Sequence, residues 1–257
     1  MMNDGYVTDK MTDAGSVIFL PETPSTNTYA KDHFDSLPDG TLVATDHQTA
    51  GRGRLGRKWS TPPGAAVAAS FVIKNPGEDP FSATCCASLA VLRTLRDHAP
   101  EGDFYIKWPN DVYTGPAKIA GILCEGVIRS GGFAGIIAGM GININLTEED
   151  LCAIDQKAES LNRIAGKKFN VKKITFALAK SLSECYIIYL KNPEELFRLW
   201  KKENRLLGKT VEFDKPDGSR VRGMMSEILP DGSILVEHDG VTENFRCGDI
   251  RIAKKSL

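Results

Sequence analysis

The sequence predicts an α+β fold: a mixed, largely antiparallel sheet with helices on one side, followed by a small C-terminal β-unit. Three observations carry this reading. Short apolar runs bounded by turn residues fill most of residues 16–142. Helical periodicity is concentrated after residue 148, and strands first with helices later indicate α+β rather than strict alternation. Residues 206–257 instead place Pro216-Asp217-Gly218, Pro230-Asp231-Gly232 and Asp239-Gly240 between short apolar runs, the mark of a meander or barrel.

Taken in order, residues 1–15 are polar and are expected to fray. SVIFLP at 16–21 reads as a strand. Pro24-Ser25-Thr26-Asn27 supplies capping residues for a helix reaching residue 37. Asp39-Gly40 is a turn, and TLVAT at 41–45 is a strand. Residues 48–64 combine glycines with two prolines and four basic residues, a long loop of the kind that is often functional. Residues 65–73 are apolar enough for a buried strand. Residues 80–98 carry Leu89, Leu92 and Leu95 at helical offsets. A strand over 104–108 stops at Pro109, restarts at Val112-Tyr113 and turns at Gly115-Pro116. Residues 118–128 and 133–142 flank Ser130-Gly131-Gly132 as an antiparallel hairpin. Helices are expected over 148–165, 171–191 and 193–204. The boundary between the two units falls at 206–208. This divides the chain into a flexible N-terminus (1–15), a catalytic domain (16–205) and a small β-domain (206–257).

Lys and Arg number 32 against 33 Asp and Glu, so a net charge of −1 gives no bulk attraction to nucleic acid or an anionic membrane. The 42% hydrophobic and 25% charged residues match globular averages, which excludes wholesale disorder. No apolar run has the length of a transmembrane helix. The first residues lack a basic stretch followed by an apolar one, so no signal peptide is expected. Cys85, Cys86, Cys124, Cys152, Cys185 and Cys247 include no C-x-x-C spacing and read as buried free thiols in a reducing compartment. His33, His47, His98 and His238 form no ligand cluster, and no protein-built metal site is expected.

Three features suggest chemistry. G-R-G-R-L-G-R-K-W at 51–59 joins backbone freedom to positive charge suited to phosphate or carboxylate. It is not a P-loop, since G-x-x-x-x-G-K-[ST] is missing from the chain. In K-W-P-N-D-V-Y at 107–113, Pro109 stops a strand so that Asn110 and Asp111 can face a cleft. Lys118 opens the next strand and can aim an ammonium into the same cleft. Ser25, Thr26, Asn27 and Gln48 suit a neutral polar head that both donates and accepts hydrogen bonds, such as a ureido ring. A neutral head, a carboxylate and a nucleotide in one cleft suggest activation of an acid as its adenylate.

S-T-N (25–27), Q-T-A-G-R-G-R-L-G-R-K-W (48–59), K-W-P-N-D-V-Y (107–113), K-I-A-G-I-L (118–123) and G-M-G-I-N-I-N (139–145) resemble the biotin protein ligase family in order and spacing. The likeness covers residues 16–205. The β-unit at 206–257 is similar to the family's SH3-like C-terminal domain, and the main sheet would be class II synthetase-like. The resemblance implies two steps. Biotin and ATP give biotinyl-5′-AMP, and the biotinyl group passes to a lysine on the carrier domain of a biotin-dependent carboxylase. Mg²⁺ would arrive with ATP. Only residues 1–15 precede the first strand, so the chain resembles the form without the N-terminal DNA-binding domain. No DNA or membrane partner is expected, the location would be cytoplasmic, and a homodimer is compatible with the family.

Residue by residue, the resemblance assigns the biotin head to Ser25, Thr26, Asn27, Gln48, Gly51 and Gly121. Arg52, Gly53 and Arg54 resemble the residues that close over biotin and the adenylate. Arg57 and Lys58 would hold pyrophosphate, with Trp59 anchoring the loop, while Asn110 and Asn143 would orient phosphate or ribose. Lys118 would bridge the biotin carboxylate and the α-phosphate. Lys118, Arg52 and Asp111 form the implied catalytic set, Asp111 as the base for the acceptor lysine. Two other readings stand beside this one. A ligase of lipoate or another acyl group on the same scaffold would not be expected to show the basic loop motif. A non-catalytic nucleic-acid-binding protein using the Gly/Arg loop would need aromatic platforms beside it and a basic face.

Overall fold

The computed structural model describes residues 7–10, 16–74, 76–77, 80–214, 219–246 and 249–252. In chain order the main body contains β1 (Val7–Lys10), β2 (Ser16–Thr23), α1 (Thr26–Asp32), β3 (Leu42–Gln48), β4 (Ala66–Ile73) and α2 (Phe81–His98). It continues through β5 (Phe104–Lys107), β6 (Asp111–Thr114), β7 (Ala117–Arg129), β8 (Gly132–Asn143), α3 (Glu148–Cys152), α4 (Leu161–Ile164), α5 (Val171–Lys191) and α6 (Pro193–Lys202). The strands build one eight-stranded sheet in the order β1-β2-β3-β4-β8-β7-β6-β5. Only β2 and β3 run parallel, joined by the α1 crossover; the other pairs are antiparallel.

Every residue of β4 is buried, as its apolar run, interrupted only by Ser70, requires at the centre of a sheet covered on both faces. One face packs against α2 and α5, with α6 against these two helices, through Phe71, Leu92, Ile106, Ile142, Leu178 and Trp200. The expectation of helices on one side holds for these three long elements. The short α1 lies on the other face, over a smaller cluster of Ala30, Phe34, Val43, Val72 and Ile137. It ends at Asp32, earlier than its apolar pattern suggested, and residues 33–37 continue as turns on the carbonyl of His33.

Two expectations need correction. Val7–Lys10, assigned to a frayed end, is a strand paired with β2, with Val7 opposite Phe19 and Lys10 opposite Ser16. The rest of residues 1–15 lies outside the described residues. The single helix expected over 148–165 is two short ones. The Thr147/Asp150 capping box starts α3. The chain then leaves helical geometry to run beside β7, where Lys118 N–H donates to Lys157 O and Glu159 N–H to Lys118 O, each at 2.9 Å. That pairing competes with continuing the helix.

The thiols also divide. Cys85, Cys86 and Cys185 are buried and Cys124 half-buried, but Cys152 is exposed at the end of α3. Cys247 lies outside the described residues. Burial pushes the Cys86 thiol up, and those of Cys124 and Cys185 up to about 11, so these three stay protonated and inert at neutral pH.

The C-terminal unit contains β9 (Thr210–Asp214), β10 (Arg220–Ile228), β11 (Ile234–His238), β12 (Val241–Phe245) and β13 (Asp249–Ile252), in the order β12-β11-β10-β9-β13. All its pairs are antiparallel, fitting an SH3-like fold. Phe213, Met225, Val236 and Phe245 join the same apolar cluster as the main body. Its β10–β11 turn reaches the main body, and the buried Trp108 Nε1–H donates to Gly232 O at 2.8 Å.

Candidate active site

A cleft of about 930 Å³, its open mouth included, lies across β7 and β8, between the start of α1 and the loop at 52–59. At one end Ser25 caps α1, leaving Ser25, Thr26 and Asn27 buried at the cleft wall. The Thr26 N–H and hydroxyl both reach Gln48 Oε1, at 2.8 and 3.1 Å. Asn27 is fixed more tightly. Its Nδ2 donates to Leu123 O at 3.1 Å and to Glu125 Oε2 at 2.7 Å, while its Oδ1 accepts from the Ser70 hydroxyl at 2.6 Å.

The cleft floor must be bare backbone. A Cβ on Gly139 would lie 2.3 Å from Asn27 Oδ1, and one on Gly141 would lie 2.3 Å from the Trp59 indole. The G-M-G segment of β8 is therefore a seat for these two side chains. Gly121 on β7 clears a third path, since a Cβ there would meet Lys118 Cε at 3.0 Å.

The basic loop folds on itself. Gly53 N–H donates to Arg57 O at 2.7 Å and Trp59 N–H to Gly51 O at 3.0 Å, around a short 3₁₀ turn at Arg54–Gly56. Leu55 in that turn is exposed and takes φ of 54°, the left-handed region. Two arginines tie the loop to the body. Arg54 Nη1 donates to Asn110 Oδ1 at 2.7 Å, and Arg52 Nη2 donates to Glu125 Oε2 at 3.0 Å and Thr28 Oγ1 at 3.3 Å. Asn110 is itself held by donation from Nδ2 to Ile122 O at 2.6 Å.

Also in the cleft lining, Lys118 Nζ lies 2.7 Å from Asp111 Oδ1, with both side chains mostly buried. The same ammonium is 5.9 Å from the Trp59 ring centroid. Glu125 accepts from Lys31 Nζ at 3.2 Å as well as from Asn27 and Arg52. Burial alone would raise its carboxyl. Hydrogen bonds from Asn27 and Lys31 and the charges of Lys31 and Arg52 outweigh that and hold it below the ordinary glutamate value.

The structure gathers Ser25, Thr26, Asn27, Gln48, Arg52, Gly53, Arg54, Arg57, Lys58, Trp59, Asn110, Asp111, Lys118 and Gly121 around this cleft. Two expected site residues do not line it. Gly51 is buried behind it, where a Cβ would fall 2.2 Å from Trp59 O; it lets the two legs of the loop approach. Asn143 is the other correction. It shares the face of Gly139 and Gly141 by strand alternation, but residues 157–160 cover that end of β8. Its buried Nδ2 donates to Glu159 O at 3.0 Å, so it braces the segment that flanks Lys118.

Sequence reasoning missed Glu125, Ser70, Lys107 and Gln156, the first two bonded to Asn27 and the last two in the cleft lining. Ser70 left a signal, being the one polar residue in the apolar run of β4, whereas Glu125 shares β7 with Lys118 and Arg129. Among the described residues no group of three or more His, Cys, Asp or Glu side chains could hold a metal ion.

The α+β sheet, the small β-unit and this site define one class, and the chain belongs to the biotin/lipoate A/B protein ligase family, whose model matches residues 19–143. Within it, the chain is 35% identical over 226 residues to the bifunctional ligase/repressor BirA of Bacillus subtilis (strain 168), covering 85% of this chain and 68% of that one. It is 28% identical over 243 residues to BirA of Escherichia coli (strain K12), covering 93% and 75%. The solved structure of biotin protein ligase from Aquifex aeolicus in complex with biotin and ATP matches with a TM-score of 0.78 at 27% identity, over 92% of this chain and 99% of that one.

Proposed function

We propose that this chain is a biotin–protein ligase that makes biotinyl-5′-AMP from biotin and ATP and transfers the biotinyl group to a lysine of a carrier domain. The observation that carries the reading is that Lys118, with Asp111 beside it, lines one cleft together with neutral hydrogen-bonding residues and an arginine-rich loop. Biotin has a neutral ureido head and an anionic tail, and ATP brings the phosphates. The cleft lining offers groups to match each.

In the first step a biotin carboxylate oxygen attacks the α-phosphorus, and the bond to pyrophosphate breaks. Two anions must approach, and Lys118 lowers that repulsion inside a site where charge interactions are strong. Arg52, Arg54, Arg57 and Lys58 surround the phosphate end. In the second step the acceptor amine attacks the acyl carbon, and AMP leaves. Once anionic ligands engage Lys118, Asp111 is free of its partner and can take the proton the amine loses. Mg²⁺ would be carried by the triphosphate and water rather than by a protein cage.

The partner we infer is the biotin carrier domain of a carboxylase, and the compartment is the cytoplasm, where ATP is available. No described helix is long and apolar enough to cross a membrane. Two arginines of the basic loop, Arg52 and Arg54, donate to Glu125 and Asn110 of the protein body, which favours a small-molecule site over a nucleic-acid surface. Calorimetry with biotin, lipoate and octanoate, each with and without ATP, tests the reading. Saturable binding of biotin alone is expected. Preferential binding of lipoate or octanoate would assign the chain to the acyl-ligase branch of its family.

A further inference from the structure

We propose that Glu125, on β7, is a positioning residue that sets the Asn27 amide and latches the basic loop through Arg52. Its relevance to biotin rests on the proposed ligase function. Asn27 has two Nδ2 protons and spends one on Leu123 O and the other on Glu125 Oε2. No donor remains for a ligand. Its Oδ1 receives one bond from Ser70 and keeps a second acceptor site. Glu125 thereby dictates that Asn27 presents oxygen, an acceptor suited to the N–H of a ureido group.

The same carboxylate acts on the loop. Glu125 Oε2 accepts from Arg52 Nη2 at 3.0 Å while Oε1 accepts from Lys31 Nζ at 3.2 Å. The Glu125 side chain is 18% exposed and that of Arg52 48%, so the bond links an inner carboxylate to an outer guanidinium. One side chain thus joins α1, β7 and the loop. A glutamine cannot replace it. If its oxygen faces Asn27 and Arg52, its NH₂ faces the Lys31 ammonium. If it is flipped, its NH₂ faces two other donors.

The test uses the full-length protein with Glu125→Gln, read in two ways. First, trypsin cleavage after Arg54, Arg57 and Lys58 is timed without any ligand, with the melting temperature followed in parallel. E125Q is expected to be cleaved about tenfold faster with its melt little changed, and combining it with Arg52→Ala should add nothing further. Second, adenylate formation is measured against biotin concentration. The KM for biotin should rise about tenfold to hundredfold while kcat stays within about threefold, the pattern of lost binding shared by ground and transition states. In an Asn27→Ala background the E125Q effect on KM should shrink below about twofold. A merely structural role would lower the active fraction and leave KM alone. If E125Q fails to fold, Glu125→Asp gives the same two readings, because it keeps the charge one methylene short. Unchanged cleavage, or a KM effect of equal size with and without Asn27, overturns the proposal. A wild-type protein that ignores biotin would instead overturn the ligase reading, and the ligand-free cleavage rates would still decide the Arg52 latch.

Discussion

Lys118 Nζ and Asp111 Oδ1 lie 2.7 Å apart, so the cation that we propose meets two substrate anions is held by a protein carboxylate. The backbone of Lys118 is fixed too, by its N–H bond to Lys157 O and by the bond that its carbonyl accepts from Glu159. The ammonium therefore starts from a defined position, and substrates need only exchange one anionic partner for others.

Lys118→Ala should cut adenylate formation by at least about 10²–10³, the scale of one lost electrostatic contact to a reacting group. The fold should survive, since Asp111 keeps some exposure and can hydrate. Pyrophosphate release and a thermal melt check the two halves. A folded variant within twofold of wild type would remove Lys118 from the chemistry.

Asp111→Asn separates the half-reactions. Adenylate formation should fall by less than about tenfold, because the ammonium remains. Transfer to the carrier lysine should slow by about 10²–10⁴, the range of a lost general base. Single-turnover kinetics of each step would show it, and equal effects on both steps would argue that Asp111 only orients Lys118.

Gly139→Ala should weaken biotin binding. The new methyl group would lie 2.3 Å from Asn27 Oδ1, and an amide held by Ser70, Leu123 and Glu125 has nowhere to move without breaking a bond. Overpacking of this kind costs about 1–3 kcal/mol, or about tenfold to hundredfold in affinity. Gly126→Ala is the control on the next strand. Its nearest neighbour is Phe133, a half-exposed ring that can swing aside, so calorimetry should find biotin affinity unchanged.

Much of this site was legible because its motifs lie where the chain changes structure. Ser25-Thr26-Asn27 begins a helix, Pro109 ends a strand and Lys118 stands near the start of another, so each side chain reaches the cleft from an element terminus. The largely apolar run of β4 announced a buried strand for the same local reason. What stayed hidden depends on distant pairing. The resemblance assigned Asn143 to the site, and nothing local revealed the segment at 157–160 that covers it. Glu125 is 98 residues from Asn27 and 73 from Arg52, and nothing local says that they meet. The break between α3 and α4 likewise follows from backbone bonds to Lys118, which no helix periodicity encodes.

Arg54→Gly should let the adenylate escape. The Arg54–Asn110 bond at 2.7 Å pins the middle of the loop over the cleft, and the adenylate is a reactive anhydride that must be kept from water and stray amines. A charge-assisted bond of about 1.5–3 kcal/mol corresponds to about tenfold to hundredfold faster release. Adenylate formation itself should continue, since Lys118 is untouched. Mixing the variant with biotin, MgATP and an unrelated lysine-rich protein should biotinylate the bystander more than wild type does. Equal bystander labelling while adenylate is still made would show that Arg54 does not retain the intermediate.

The account rests on biotin transfer, and the mass of a carrier domain tests that most directly. The wild-type protein is incubated with MgATP and a biotin carrier domain, with biotin, lipoate or octanoate supplied in turn, and the intact carrier is weighed by mass spectrometry. The account predicts a gain of one biotinyl group, only with biotin, and none when the acceptor lysine of the carrier is changed to arginine. An unmodified carrier in the presence of biotin, together with acylation of a lipoyl-type carrier by lipoate or octanoate, would contradict it.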